Sequence, residues 1–390
     1  MRILSIRGSF APYSRFLILS TFWLLMQLML LYQFGIVKVF EAHKYIEQAN
    51  YFIQHGTYTT KNFLFYSTEI LLIAGSLKLA GTYWMVIGVQ LIFNALSTLC
   101  FYNTILWLTR RNNVAFFFTL AFIWMFYYQL YNVHLFTESL YFSFSVLFFN
   151  WLAFFSTRSF PSLSKLLLVL VVLYFTRPVG IYFLPATFVF YTLRFFPQHS
   201  LRIFLSAGIL LLILFTFLLD GAMSSGGEFD FLLPYTEGHI ICGVPSGKFY
   251  AFATPVNKNS VGGLVFLFWH NTGLFFLLFF QRLLAFFGVI RSYYSLPHNV
   301  FIAGYFYSLY FFSLLGIKKM WAMHKPAISF LLTIIFLTAL TSGLSCDEWH
   351  NRFIYAVFPF FMMLGSFAFA TKETDANKKA VSDETAFKSR

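Results

Sequence analysis

A chain of 390 residues that is 59% hydrophobic and only 11% charged, with a mean hydropathy of +0.72, is far more apolar than a soluble globular domain. Such a surplus cannot be hidden behind a polar shell, which excludes a cytosolic enzyme, a secreted disulfide scaffold and a disordered chain and leaves an all-α polytopic membrane protein. The net charge of +13 does not point to nucleic acid, because Lys and Arg in such a chain mark cytoplasmic loops.

The first apolar run, 16–37, follows Arg2, Arg7 and Arg15. It is long enough to span a bilayer and has no small-residue cleavage site behind it, so an uncleaved first span with a cytoplasmic N-terminus is expected. The polar stretch 38–62 leads to a short apolar segment, 63–80, that carries Glu69 and Lys78, and then to a stronger run, 83–108, that ends at Arg110 and Arg111. With that pair cytoplasmic, parity leaves no crossing for 63–80, which is expected to lie at or dip into the outer interface. Residues 114–131 go out, and 138–155 return to Arg158 and Lys165. Two short arms, 166–175 and 181–193, form a hairpin around Thr176, Arg177 and Pro178 and return to Arg194, after which 203–219 goes out.

Residues 220–262 form the longest polar loop, rich in Gly and Ser, and are expected to be a mobile cover over the outer face. The apolar stretch 263–290 holds His270, Asn271 and Arg282 and stays outside by the same parity. Residues 300–317 return to Lys318 and Lys319, 327–343 go out, and 353–370 come back. One transmembrane domain is therefore expected over 1–371, with outer loops at 38–82 and 220–262, and a disordered cytoplasmic tail over 372–390. Cys242 and Cys346 both fall outside, where a disulfide can form.

Acidic residues play no part in building this topology, yet every one that precedes the tail falls on the outer face. They are Glu41, Glu47, Glu69, Glu138, Asp220, Glu228, Asp230, Glu237, Asp347 and Glu348. Arg177, Arg282, Arg291 and Arg352 join them there. Several sit at helix ends beside apolar runs, where charge is costly, and this marks a working surface.

Four constellations on that surface can carry chemistry. In a helix, Glu41, Tyr45 and Gln48 fall on one face while Lys44 and Glu47 point elsewhere. A carboxylate there, backed by a tyrosine, suits a general base for a hydroxyl. Thr137 and Glu138 open a later helix, as N-cap and first-turn acid. Arg177, inside an apolar hairpin, needs a partner, either an acid such as Glu138 or a lipid phosphate. Arg352, next to His350, is either a phosphate clamp or an interfacial anchor, and the same two readings hold for Arg282 and Arg291. No compact His, Cys or acid spacing argues for a metal, and no phosphate-cradling Gly loop appears.

These motifs together resemble the polytopic GT-C glycosyltransferases, in particular the bacterial branch akin to protein O-mannosyltransferases and the aminoarabinose transferase of lipid A. There an acid after the first span stands in an acid-x3-Tyr-x3-Ala arrangement with a Gly-Tyr-like turn behind it. Here that is Glu41, Tyr45 and Ala49, then Gly56 and Tyr58. The Ser/Thr-Glu-x-Leu-Tyr/Phe helix start matches 137–141, a Thr-Arg-Pro-x-Gly corner matches 176–180, and an Asn-Arg-Phe start with a downstream Pro matches 351–353 and Pro359. The family acid is usually Asp, and Glu41 is one methylene longer.

The resemblance implies a GT-C-like helix bundle in the bacterial inner membrane with its active face outward. It implies a sugar donor carried on polyprenyl phosphate and a lipid, glycan or protein hydroxyl as acceptor, with no cofactor, metal or nucleic acid. Glu41 and Glu138 would be catalytic, and Tyr45, Arg177, Arg282, Arg291, Arg352 and His350 would bind substrate. The alternative class is a transporter or lipid flippase, which ordinarily shows internal repeats and mid-bilayer charge. Neither is evident here.

Overall fold

The computed structural model describes residues 11–154, 160–223, 233–244, 253, 260–347 and 350–370. α-Helices joined by short 3-10 turns make up most of them, with no strand among the described residues. Five helices are long and apolar enough to cross a membrane, or up to eight if each sharply bent pair counts as one span. The chain is an all-α polytopic protein.

Its packing divides it into two compact units. Unit 1 comprises the residues up to Gly180 together with 366–370, and unit 2 runs from Ile181 to Gly365.

Unit 1 contains α1 (Ala11–Phe34), α2 (Glu41–His55), α3 (Ser67–Ala80), α4 (Trp84–Thr109), α5 (Asn112–Trp124), α6 (Phe126–Gln129), α7 (Thr137–Phe154) and α8 (Phe160–Thr176). Gly35, at φ 59°, stops α1, and Gly56, at φ 67°, stops α2; both positions are left-handed, as glycine allows. The expected span 114–131 is broken at Met125, where α5 and the following segment through Val133 bend by 66°. A 3-10 turn, Lys61–Tyr66, precedes α3, and the two together are also long and apolar enough to cross.

Lipid gives apolar helices no hydrophobic reason to associate, so close packing and polar contacts must hold them. Both are present. Phe101 stacks on Phe122, Phe122 meets Tyr128, and Tyr128 stacks on Phe142, at centroid distances of 4.5, 5.0 and 4.9 Å. A buried amide chain runs beside them. Gln27 donates to Gln129 (3.1 Å), Asn132 donates to both Gln27 (3.2 Å) and Gln129 (3.1 Å), and Ser139 donates to Asn132 (2.8 Å). Such bonds are worth roughly 1 kcal/mol each in a membrane. This chain ties α1 to the start of α7.

Unit 2 contains α9 (Phe183–Phe195), α10 (Ser200–Met223), α11 (Leu233–Thr236), α12 (Val261–His270), α13 (Thr272–Gly288), α14 (Leu296–Leu344) and α15 (Arg352–Ser366). α14 covers both expected spans 300–317 and 327–343, interrupted by non-helical backbone at His324, two residues before Pro326. A proline inside a helix removes one backbone hydrogen bond and crowds the preceding turn, which kinks it. Between α12 and α13 the chain bends by 104° at Asn271, so 263–290 is not one straight span. α15 is almost wholly buried, and Phe183, Phe330 and Phe360 pack as a cluster in the same unit.

Candidate active site

The site begins with backbone. Val37 donates to the Val133 carbonyl (2.9 Å) and accepts from the Leu135 N–H (3.2 Å), so the segment after α1 lies parallel to the segment before α7. That short pairing sets the start of α2, with Glu41, beside the start of α7, with Glu138.

On α2, Tyr45, Gln48, Ala42 and Ala49 are buried, and His43 and Glu47 are exposed. The i, i+4, i+7 face is as expected for Tyr45 and Gln48. Gln48 spends its amide on Thr59, donating to its hydroxyl (2.7 Å) and accepting from its N–H (3.2 Å), which fastens the turn after Gly56. Lys44 differs from expectation. Its ammonium lies 2.7 Å from Glu41 Oε2, one turn away, and over the rings of Tyr45 and Tyr66. A long flexible stem lets an i, i+3 lysine curl back over the face its Cα leaves.

Glu138 and Arg177 form an ion pair at 2.6 Å, with side chains 2% and 11% accessible. Thr137 donates to the other carboxylate oxygen (3.3 Å). Of the two partners expected for Arg177, the acid is engaged. The corner that carries Arg177 is set by Gly180. Its N–H donates to the Arg177 carbonyl (2.8 Å), and a side chain on it would collide with the backbone of Leu173 and Tyr174. Thr176 reaches across to Thr68 on α3 (3.1 Å).

Glu138 is the hub. It lies near enough to Tyr45, Glu69 and His134 to act on each of them electrostatically, as Glu41 and Arg177 do on Tyr45. Burial first, and then Tyr66, Glu138 and Glu41, push the Tyr45 phenol well above its ordinary range, against the pull of Arg177. Tyr45 is therefore a hydrogen-bond donor at any working pH. Burial holds the His134 imidazole below its ordinary range.

Sequence reasoning left Glu69 unassigned, although a carboxylate inside an apolar segment is a signal in its own right. It is fully buried, accepts from Gln90 (3.3 Å), and its second oxygen has no hydrogen-bond partner among the described residues.

Glu41, Tyr45, Glu138 and Arg177 thus belong to one cluster in unit 1. The remaining expected residues lie in unit 2, and two of them are engaged by the protein itself. Arg282 is fully buried on α13, donates to the carbonyls of His239 (2.8 Å), Pro234 (2.8 Å) and Gly343 (3.4 Å), and lies over the Tyr235 ring. Arg291 pairs with buried Asp347 and donates to the Ala285 carbonyl (2.8 Å). Both arginines are engaged by carbonyl or carboxylate groups of unit 2.

Beside these buried arginines Cys242 and Cys346 are disulfide-bonded, with Cα atoms 5.3 Å apart, the Cys242 N–H donates to the Asp347 carbonyl (2.8 Å), and the Asp347 N–H donates to the Ile240 carbonyl (2.9 Å). Residues 240–242 are therefore tied to 346–347 by the disulfide and two backbone hydrogen bonds. Residues 224–232, 245–252 and 254–259 of the long loop 220–262, and Glu348, lie outside the described residues. Arg352 opens α15 and is buried, and His350 is half-buried. Among the described residues no three His, Cys, Asp or Glu side chains converge as metal ligands.

No family model, no curated protein and no solved structure matches the chain.

Proposed function

We propose that the chain is a GT-C-like membrane glycosyltransferase. It moves a sugar from a polyprenyl-phosphate donor to a hydroxyl of a lipid, glycan or protein acceptor, on the outward face of a bacterial inner membrane. The observation that supports this best is that three motifs far apart in sequence share one cluster of unit 1: Glu41 with Tyr45, Glu138 and Arg177.

In the reaction the acceptor oxygen attacks the anomeric carbon while that carbon's bond to the phosphate oxygen breaks. The bonding pair leaves with the phosphate, and the acceptor proton passes to the Glu41 carboxylate. Glu41, 30% accessible, is the cluster's open acid, and Glu138 is its closed one. Lys44 supplies positive charge beside the developing anion. Glu138 holds Arg177, and Tyr45 donates from its protonated hydroxyl. Arg352 and His350 lie in unit 2.

Deleting the protein and comparing surface glycolipids and glycoproteins by mass spectrometry tests the proposal. The expected result is the loss of a discrete sugar from one class of molecule. An unchanged inventory would reject it.

A further inference from the structure

A groove of about 480 Å³ opens in unit 2 against α9, α10 and α14, within the size range of small-molecule sites. Its walls are apolar, with Val189 and Leu193 from α9, Phe204 from α10 and Leu332 from α14. Lys325 and Trp321 also line it, and both are exposed. Lys325 stands at the break in α14, between non-helical His324 and Pro326.

Arg194 lies in the last turn of α9, Arg202 in the first turn of α10, and Lys318, Lys319 and Lys325 around the break in α14, whereas every Asp and Glu of unit 2 lies within 220–237 or at 347–348. Among the described residues no carboxylate pairs with Lys325. An apolar slot with an ammonium and an exposed tryptophan at its edge matches a membrane lipid, because Trp favours the headgroup level and Lys attracts anionic headgroups.

We propose that this groove binds an anionic phospholipid, with an acyl chain between α9, α10 and α14 and the headgroup phosphate against Lys325. The site is independent of sugar transfer. Charge selects the occupant, since a zwitterionic lipid offers the same chains without net negative charge.

Native mass spectrometry of the full-length protein in detergent, with equal amounts of dioleoyl phosphatidylglycerol and dioleoyl phosphatidylcholine, tests it. The wild type should retain phosphatidylglycerol preferentially. One ammonium at an anionic headgroup is worth about fivefold, so Lys325→Ala should reduce the preference by about that factor and Lys325→Arg should keep it. Ser329→Trp, which fills the slot and leaves the cation, should lower retention of both lipids. Equal retention of both lipids by the wild type, or an undiminished preference in Lys325→Ala, would overturn the proposal. So would full retention in Ser329→Trp, or displacement of the lipid by excess inorganic phosphate.

Discussion

At the residue scale, the Glu138–Arg177 pair is the strongest single commitment in unit 1. Two charges so well shielded are expensive unless matched, and removing one partner of a buried pair costs about 3–5 kcal/mol. Glu138→Gln and Arg177→Gln should each lower stability by that order, and the double variant should lose less than the sum of the two. Denaturation of purified protein in detergent checks this, and strict additivity would show that the pair contributes nothing. His134 gives a pH signature. Its imidazole is held down in the folded chain, so the unfolded chain binds that proton more readily. The contribution is fully present above about pH 6.5 and is lost as pH falls through the folded value. The thermal midpoint of the wild type should therefore fall more steeply below pH 6.5 than that of His134→Gln.

At the element scale, the corner at 176–180 is rigid because Gly180 lets two backbones touch. Gly180→Ala forces a shift and should cost about 1–3 kcal/mol, as overpacking does, visible as a lower thermal midpoint. An unchanged midpoint would mean that the corner gives way freely. The face of α2 was legible because helical spacing alone brings Glu41, Tyr45 and Gln48 together. Lys44 was not, since its stem length and not its Cα position decides where the ammonium lies. The break at Met125 has no Pro or Gly to announce it, and the Val37 pairing involves single residues with no strand pattern. The internal partners of Arg282 and Arg291 were not legible, because a sequence shows the cation and not the carbonyls and the Asp347 carboxylate that receive it.

At the scale of the whole molecule, hydropathy exposed the polytopic class, and Lys and Arg placement suggested the sidedness. Where the chain divides was invisible, because the boundary after Gly180 falls inside an apolar hairpin with no linker composition. Single cysteines introduced at Asn50 and Asn259 should react with an impermeant reagent from outside, and at Asn112 only from inside. Labelling of Asn112 from outside would reverse the membrane orientation.

The central claim is that Glu41 serves as the base for sugar transfer. The most direct measurement returns wild type, Glu41→Gln or Glu41→Asp to a deletion strain and quantifies the affected glycoconjugate by mass spectrometry. Glu41→Gln keeps the shape and removes the basic oxygen. Its rate should fall on the order of 10²–10⁴-fold, the usual contribution of one acid–base group, with the protein still folded and inserted. Glu41→Asp retains a carboxylate and should keep more activity than Gln. Near-normal sugar transfer by a folded Glu41→Gln protein would contradict the account.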